Sequence, residues 1–343
     1  MTAPDRAPSP PVDLALRNGY DDPPPRVGFF TDTSVCIGCK ACEVACKEWN
    51  HVPEDGLDLL GMSMDNTGML GANSWRHVAF VEQRRPGSVG LDEVTAQVEA
   101  RLRTAPRGGA ELGTTPLPTA PGGSVAGGTV ADLGMPTFRR PGDGTGAETR
   151  TDFRWLMESD VCKHCTEAGC LDVCPTGALF RTEFGTVVVQ QDICNGCGYC
   201  VSGCPYGVID RRPHDGRAQK CTLCYDRLKD GLTPACAKAC PTESIQFGPL
   251  DELRERADRR LAALHGQGVA EAELYGRDPE DGVGGHGSLF LLLDKPEVYG
   301  LPPAPVVPTR SAPQIWRRVG AAAAAFALAG IGAFVSAAFG DHR

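Results

Sequence analysis

Segments with a regular hydrophobic pattern alternate along this chain with long stretches that have none. Alternation in "NSWRHVAFVEQ", residues 73–83, predicts a strand, and "ALFRTEFGTVVVQ", residues 178–190, predicts two short strands around a turn. "SLFLLL", residues 288–293, predicts a buried strand. A helix ending at Gly266 is predicted by apolar residues at helical spacing: Leu250, Leu253, Ala257, Leu261 and Leu264. Together these segments indicate an α+β fold.

The last apolar segment, "VGAAAAAFALAGIGAFVSAAF" from Val319 to Phe339, carries no charged residue. As a helix rising about 1.5 Å per residue it would span roughly 31 Å, which is the thickness of a bilayer core. It predicts a single transmembrane helix, although a buried helix of a soluble protein could have a similar Ala/Gly composition. Its small residues would let a neighbouring helix approach closely, so a membrane partner is expected.

Three other segments show no regular pattern of hydrophobic residues. Residues 1–25 are rich in Pro and Asp and predict an arm; they hold no apolar core and no paired arginines, so we expect no export signal there. Residues 105–146 are low-complexity and predict a flexible surface insertion, and "LPPAPVVPTRSAP", residues 301–313, predicts an extended linker.

Composition narrows the class of protein. The chain of 343 residues is 41% hydrophobic, which suffices for a core and for two domains, while 42 Gly and 28 Pro indicate much loop. The net charge is −9 and no block of Lys and Arg occurs, so the basic surface of a nucleic-acid-binding protein is missing.

Sixteen cysteines fall into four runs and none is left over. Run one is Cys36, Cys39, Cys42 and Cys46; run two is Cys162, Cys165, Cys170 and Cys174; run three is Cys194, Cys197, Cys200 and Cys204; run four is Cys221, Cys224, Cys236 and Cys240. Run three is the full bacterial ferredoxin pattern C-x2-C-x2-C-x3-C-P, which ligates [4Fe–4S] clusters. Run one differs only by Lys47 in place of the proline, and runs two and four lengthen the middle of the pattern.

Three other uses of these cysteines fit less well. Disulfides between thiols so close in sequence would be strained, and a scaffold with this many bridges is expected in a smaller domain. Structural zinc competes only at run four, whose separated pairs could form a four-thiolate site. Radical enzymes that use S-adenosylmethionine have a C-x3-C-x2-C order, which no run has. We therefore predict that all sixteen cysteines are iron ligands of four [4Fe–4S] clusters.

The fourth cysteine of a ferredoxin run ligates the other cluster of its module, so the four runs predict a pairing. Runs two and three are joined by a short hairpin and form one module, which leaves runs one and four to pair around it. The predicted ligand groups are A (Cys36, Cys39, Cys42, Cys240), B (Cys46, Cys221, Cys224, Cys236), C (Cys162, Cys165, Cys170, Cys204) and D (Cys174, Cys194, Cys197, Cys200). The fold prediction is thus two nested ferredoxin-like dicluster modules followed by a transmembrane helix.

Five motifs carry a resemblance to a known family: "CIGCKACEVACKEWN", "CNGCGYC", "KCTLCYDR", "PACAKACPT" and "GVGGHGSLFLLLDKPEVYGLP". In these motifs the sequence resembles the iron–sulfur beta subunits of membrane-bound formate dehydrogenases. These subunits belong to the four-cluster electron-transfer subunits of molybdenum or tungsten oxidoreductases. The likeness covers most of the sequence after residue 26. It implies a non-catalytic relay from a formate-oxidising alpha subunit with a bis-pterin molybdenum or tungsten centre to a membrane cytochrome b gamma subunit and quinone. The insertion before Cys162 departs from the family pattern.

Two further interpretations stay open. One is the iron–sulfur subunit of a membrane hydrogenase or of another molybdopterin oxidoreductase, and the other is a zinc-stabilised interaction protein with a membrane anchor. The resemblance favours a cluster domain on the outer face of the membrane, whereas Arg317 and Arg318 before the helix favour the cytoplasmic face. Four lysines flank ligands and are either cluster-tuning charges or surface residues: Lys40, Lys47, Lys163 and Lys220. His164 is expected beside a cluster and not as a ligand.

The predicted organisation follows from these features. It comprises an arm (1–25), an outer module (26–50 and 205–250), a partner-contacting segment with the insertion (51–150), an inner module (151–204), a segment of helix, strand and linker (251–313), and a membrane anchor (314–343).

Overall fold

The computed structural model describes residues 14–55, 64–65, 67–84 and 153–339. The chain divides into two compact units, one formed by residues 1–81 with 156–343 and the other by residues 82–155. All the cysteine runs belong to the first unit. The predicted insertion, residues 105–146, and the first part of the predicted arm, residues 1–13, lie outside the described residues.

Short strands and short helices dominate the described residues. The strands are β1 (Val27–Asp32), β2 (Arg76–Arg84), β3 (Phe153–Val161), β4 (Leu179–Arg181), β5 (Val187–Val189), β6 (Asp210–Arg211), β7 (Ala218–Gln219), β8 (Ile245–Pro249), β9 (Glu273–Tyr275) and β10 (Ser288–Leu292). The α-helices are α1 (Ala41–Trp49), α2 (Gly169–Asp172), α3 (Tyr199–Ser202), α4 (Tyr225–Lys229), α5 (Ala235–Lys238), α6 (Leu250–Gly266) and α7 (Ala312–Phe339).

A four-stranded sheet in the order β8-β1-β10-β9 joins distant parts of the chain. β1 pairs antiparallel with β8, where Phe29 faces Phe247, and parallel with β10, where Phe29 faces Ser288. Every residue of β10 is buried, as the unbroken apolar run predicts for a central strand. Because β1 precedes run one and β8 follows run four, this sheet brings the two ends of the cysteine region together.

Helix α6 covers one face of this sheet. Its residues Leu250, Leu253 and Ala257 are buried in a core cluster with Phe30 of β1 and Leu289 of β10. The predicted helix, its end at Gly266 and the predicted strand at residue 288 are therefore confirmed. The apolar face alone determines this packing, since burial of each large side chain contributes about 1.5–3 kcal/mol.

Between runs two and three, β4 and β5 form the predicted antiparallel hairpin, in which Leu179 faces Val189. Two further pairs were not predicted as pairs: β6 with β7, between runs three and four, and β2 with β3. The strand predicted over residues 73–83 corresponds to β2. Its partner β3 leads directly into run two, so the β2–β3 pair lies next to the cysteines.

Helix α7 begins at Ala312, before the predicted start at Val319. Over Gln314–Phe334 it is long and apolar enough to cross a membrane, and none of that segment is buried inside the protein. Large apolar side chains point away from the rest of the protein, with Phe326, Leu328 and Phe334 all exposed. The linker before it is anchored, because Leu301 and Val307 are buried.

Candidate metal centre

Each cysteine run starts with a loop that turns through a left-handed residue. The residue before the second cysteine has a positive φ in all four runs: Gly38, His164, Gly196 and Leu223. At Gly196 a Cβ atom would lie 2.6 Å from the carbonyl oxygen of Gly216, so only glycine fits there. At Leu223 the same turn places a bulky residue in a conformation that costs on the order of 1–3 kcal/mol. The repeated turn wraps the first thiols of each run around one point.

One cavity is lined by the four thiols of group C, from runs two and three. It contains about 360 Å³ free of protein atoms, part of it open to solvent, and His164, Tyr206 and Lys220 also line it. Burial raises the pKa of Cys165 well above its ordinary value, and the thiols of Cys162, Cys170 and Cys204 raise it further. Such thiols become thiolates only when a positively charged group, such as a metal centre, lies among them.

A second cavity is lined by the four thiols of group A, from runs one and four. It contains about 290 Å³ free of protein atoms, and Ser159 and Ser244 also line it. Cys42 is buried, whereas Cys39 is exposed. Burial raises the pKa of Cys36, and the thiols of Cys42 and Cys240 add to that rise.

Within group B, and separately within group D, the thiols act on one another electrostatically. Burial raises the pKa of Cys46 well above its ordinary value, and the thiols of Cys221, Cys236 and Cys224 raise it further. Within group D, burial raises the pKa of Cys200 to about 11, together with the nearby thiols of Cys194, Cys174 and Cys197. The structure thus brings together the members of each predicted group.

Packing and electrostatics link the groups to one another, because thiols of groups A, B and C share one core cluster and thiols of groups C and D share another. Burial raises the pKa of Cys221 to about 12, and the strongest neighbouring thiol is Cys162, which couples group B to group C. The thiol of Cys200 acts on Cys170, which couples D to C, and Cys236 acts on Cys42, which couples B to A. The resulting order is D, C, B, A.

Two lysines that flank ligands are buried. Lys163 and Lys220 are only 1% and 2% exposed. Lys220 lines the group C cavity, and its Nζ donates to the carbonyl oxygens of Val187 and Cys221. The surface alternative is therefore wrong for these two residues. Lys40 and Lys47 form ion pairs instead, with Glu43 and Asp55 as partners at 3.4 and 3.1 Å.

His164 presents a buried donor to the group C cavity. Its Nδ1 accepts a hydrogen bond from the backbone N–H of Val187 at 3.1 Å, which leaves the proton on Nε2. Burial and the charges of Lys220, Arg181 and Arg26 hold the pKa of His164 well below its usual value, so the ring is neutral. Nε2 has no hydrogen-bond partner among the described residues. A donor buried without an acceptor fits a site whose occupant carries acceptor atoms, as the sulfides of an iron–sulfur cluster do.

Sequence reasoning missed Arg76 and Ser159. Arg76 is fully buried, and its Nη1 donates to the Ser159 carbonyl oxygen at 3.1 Å and to Ser159 Oγ at 3.0 Å. Ser159 Oγ lies 3.2 Å from the Sγ of Cys42. The alternating pattern of β2 indicates that Arg76 is buried, because Arg76 falls on the same face of the strand as the apolar residues Val78 and Phe80.

A single-ion site receives no geometric support. Among the described residues, which include every cysteine, no three side chains of His, Cys, Asp or Glu approach closely enough to hold one metal ion. The thiols of groups A and C instead line cavities. A cavity of this kind suits a larger group with several metal atoms.

Comparisons with known proteins agree with this geometry. The 4Fe-4S dicluster domain family matches residues 153–250. The chain is 34% identical over 310 residues to the formate dehydrogenase iron–sulfur subunit of Haemophilus influenzae, covering 89% of this chain and 77% of that protein. It is 33% identical to the nitrate-inducible formate dehydrogenase iron–sulfur subunit of Escherichia coli, covering 82% and 74%.

A second group of relatives is more alike over a shorter stretch. A subunit of the anaerobic dimethyl sulfoxide reductase of Escherichia coli is 45% identical over 229 residues, covering 67% of this chain and 76% of that protein. The formate dehydrogenase matches extend over more of the sequence. With its four cysteine groups and this extent of similarity, the protein belongs to the family of formate dehydrogenase iron–sulfur subunits and carries [4Fe–4S] clusters.

Proposed function

We propose that this chain is the non-catalytic electron-transfer subunit of a membrane-bound formate dehydrogenase. It would connect a formate-oxidising alpha subunit, which holds a molybdenum or tungsten bis-pterin centre, to a membrane cytochrome b gamma subunit and quinone. The observation that carries the proposal is the linked series of four thiol groups, whose cysteines share two packed clusters that both include Cys204 of group C, with an exposed cysteine in group D, Cys197, and in group A, Cys39. A relay needs this layout, because electrons must enter at one surface and leave at another.

We assign one [4Fe–4S] cluster to each group, so all sixteen cysteines are ligands. The two cavities lined by groups A and C support this assignment, and so does the unpartnered Nε2 of His164. When bound, each cluster supplies a centre that accepts and releases one electron. The protein's own residues hold the thiols in place, exclude water from Cys42 and Cys200, and surround the sites with buried cations.

Strand pairing supports the nested arrangement of modules. β1, before run one, pairs with β8, after run four, and β4, after run two, pairs with β5, before run three. Each predicted module therefore has one strand pair that joins its own two runs: β1 with β8 at the outer ends of runs one and four, and β4 with β5 at the facing ends of runs two and three. Residues 26–50 with 205–250 would form the outer module, and residues 151–204 the inner one.

The group D end is the membrane end in this proposal. Thr309 Oγ1, just before α7, donates to Asp172 Oδ2 at 2.5 Å, and Asp172 lies between Cys170 and Cys174. Tyr199 and Ile193, near the group D cysteines, are exposed apolar residues suited to the membrane partner. At the other end, Ile37 and Val44 are exposed around Cys39 and would contact the alpha subunit.

We further propose that α7 is a single-pass anchor and that the cluster domain lies on the outer face, as the family resemblance implies. The exposed apolar side chains of α7 support the anchor. Arg317 and Arg318 oppose the outer face by the positive-inside rule, so the face needs its own test. Proteolysis of the cluster domain from outside intact cells is expected, and protection from external protease would place it in the cytoplasm.

The similarity to a dimethyl sulfoxide reductase subunit supports a second candidate, a relay in another molybdenum oxidoreductase. Purification of the native complex from membranes separates the two. We expect co-purification of a pterin-containing subunit and a cytochrome b, with formate reducing the clusters. Clusters that formate leaves oxidised, and that dimethyl sulfoxide reoxidises after chemical reduction, would favour the second candidate.

A further inference from the structure

The guanidinium of Arg76 is a buried cation close to groups A and B. The guanidinium of Arg76 is stacked over the ring of Phe29, with its carbon 4.9 Å from the ring centroid, and is 2% exposed. Nη1 donates twice to Ser159, whereas Nε and Nη2 have no hydrogen-bond partner among the described residues. The side chain is thus fixed in position with three of the five N–H donors of a guanidinium unused.

No carboxylate in the described part of the chain forms an ion pair with Arg76. The nearby Glu158 is buried and both of its carboxyl oxygens lack partners. Burial, followed by the charge of Asp160, raises the pKa of Glu158 well above its usual value, and the charges of Lys163 and Arg76 oppose that rise. An unpaired buried cation is too costly to be retained for packing alone.

The guanidinium of Arg76 lies among ligand thiols. Phe29, on whose ring it is stacked, shares one core cluster with Cys42, Cys46, Cys221 and Cys236. Cys42 belongs to group A and the other three belong to group B. Arg76 therefore lies within electrostatic reach of both groups.

Ser159 extends this contact to one sulfur atom. Its Oγ accepts a hydrogen bond from Arg76, so its own proton is free for the Sγ of Cys42 at 3.2 Å. A donor to a ligand sulfur and a nearby positive charge both stabilise the reduced, more negative form of a cluster.

We propose that Arg76 is a positioning residue that raises the reduction potentials of the clusters of groups A and B together, and that it raises group A further through Ser159. This inference rests on the proposed function, because it needs clusters in both groups. Groups A and B form the half of the relay that electrons enter first. Because both groups lie near the charge of Arg76, that charge sets their two reduction potentials together.

The test is a redox titration of the purified complex followed by electron paramagnetic resonance, which needs no formate. Signals are assigned with Cys39→Ser for group A and Cys221→Ser for group B. Arg76→Met removes the charge, Arg76→Gln removes it but keeps a donor, and Ser159→Ala removes only the hydroxyl. Arg277→Gln is the control, because Arg277 is an exposed arginine paired with Asp258 at the surface.

We expect Arg76→Met and Arg76→Gln to lower the midpoint potentials of groups A and B and to leave C and D unchanged. Ser159→Ala should lower group A alone, and Arg277→Gln should shift none. The inference is wrong if Arg76→Met and Arg76→Gln assemble their clusters but leave the midpoint potentials of groups A and B unchanged. Equal shifts in all four signals would overturn it as well. If neither Arg76→Met nor Arg76→Gln assembles its clusters, the test rests on Ser159→Ala. An unchanged group A potential in that variant would contradict the proposed effect of Arg76 through Ser159. A wild-type complex without four clusters would instead refute the proposed function.

Discussion

Trp49 and Asp226 join two helices that lie within runs one and four: the indole Nε1 of Trp49 donates to Asp226 Oδ2 at 2.8 Å, across 177 positions of sequence. The guanidinium of Arg227 lies over the same indole, 4.2 Å from its centroid. This contact lies next to two group B ligands, because α1 carries Cys46 and α4 directly follows Cys224. It stabilises the approach of two distant segments.

Trp49→Phe should therefore loosen group B. The variant keeps an aromatic ring for Arg227 but loses the hydrogen bond, which contributes about 1 kcal/mol. Iron loss to a chelator, followed by visible absorbance, should be about fivefold faster than in the wild type. Trp316→Phe, at the exposed start of α7, is the matched control. Equal rates for Trp49→Phe and wild type would show that the contact is incidental.

The ligand groups predict which cysteine variants share a spectroscopic defect. Cys240→Ser should lose the same paramagnetic signal as Cys39→Ser, because both residues belong to group A. Cys236→Ser, although close to Cys240 in sequence, should lose the same signal as Cys46→Ser. If the Cys240 and Cys236 variants abolish one common signal, each run holds its own cluster and the pairing is wrong.

His164 should raise the potential of the group C cluster by donating from Nε2. His164→Phe removes the donor, and the lost hydrogen bond of about 1 kcal/mol corresponds to a decrease of roughly 40 mV for one electron. His164→Asn is the control, because asparagine tolerates the left-handed backbone at this residue and retains an N–H donor. A redox titration in which both variants match the wild type would exclude a hydrogen bond to the cluster.

His286 predicts loss of stability in acid. Burial, with the charge of Lys163, lowers the pKa of His286 to about 3, whereas an unfolded histidine has a pKa of about 6.5. Between these values the unfolded protein binds a proton that the folded protein does not, so stability decreases as the pH falls. The slope from this residue approaches about 1.4 kcal/mol per pH unit.

The measurement compares unfolding midpoints of wild type and His286→Gln from pH 7 to pH 5. The variant loses the contact between His286 Nε2 and the Tyr206 hydroxyl, 2.6 Å apart, so it should be less stable at pH 7 but less sensitive to acid. Parallel pH profiles would show that His286 does not titrate on unfolding.

A chain ending after Pro313 lacks most of α7 and should be released from membranes with its clusters intact. The physical reason is that the exposed apolar side chains of α7 contribute nothing to the core. Fractionation of membranes, with brown colour as the marker of clusters, measures this. Replacement of Leu328 by Ala is the matched control and should leave the protein in membranes. Persistent membrane association of the shortened protein would assign the anchoring to its partner subunits.

Local patterns predicted local structure. The hairpin of β4 and β5, the helix α6 and the strand β10 each depend on neighbouring residues, so their periodicity was sufficient. The parallel pairing of β1 with β10 was not predicted, because no local pattern specifies a partner so far along the chain. The spacing of cysteines likewise predicted which thiols of a run lie together, since the first two of each run stand on one local loop.

Buried charges were the part that spacing did not reveal. Lys163 and Lys220 are adjacent to cysteines, and adjacency alone does not distinguish a side chain that points inward from one in solvent. Arg76 lies far in sequence from every run, and only the pairing of β2 with β3 brings it to Ser159. Tertiary structure decides such contacts.

The pairing of β1 with β8 and β10 also constrains the order of assembly during synthesis. The hairpin of β4 and β5 can close as soon as the ribosome has released residues near 190, whereas Ser244 Oγ must reach back 212 positions to the carbonyl oxygen of Asp32. The thiols from Cys36 to Cys46 therefore emerge first and are enclosed last. Throughout translation they remain open to oxygen and to stray metal ions, so the earliest cysteines of the protein depend most on protection by the cell.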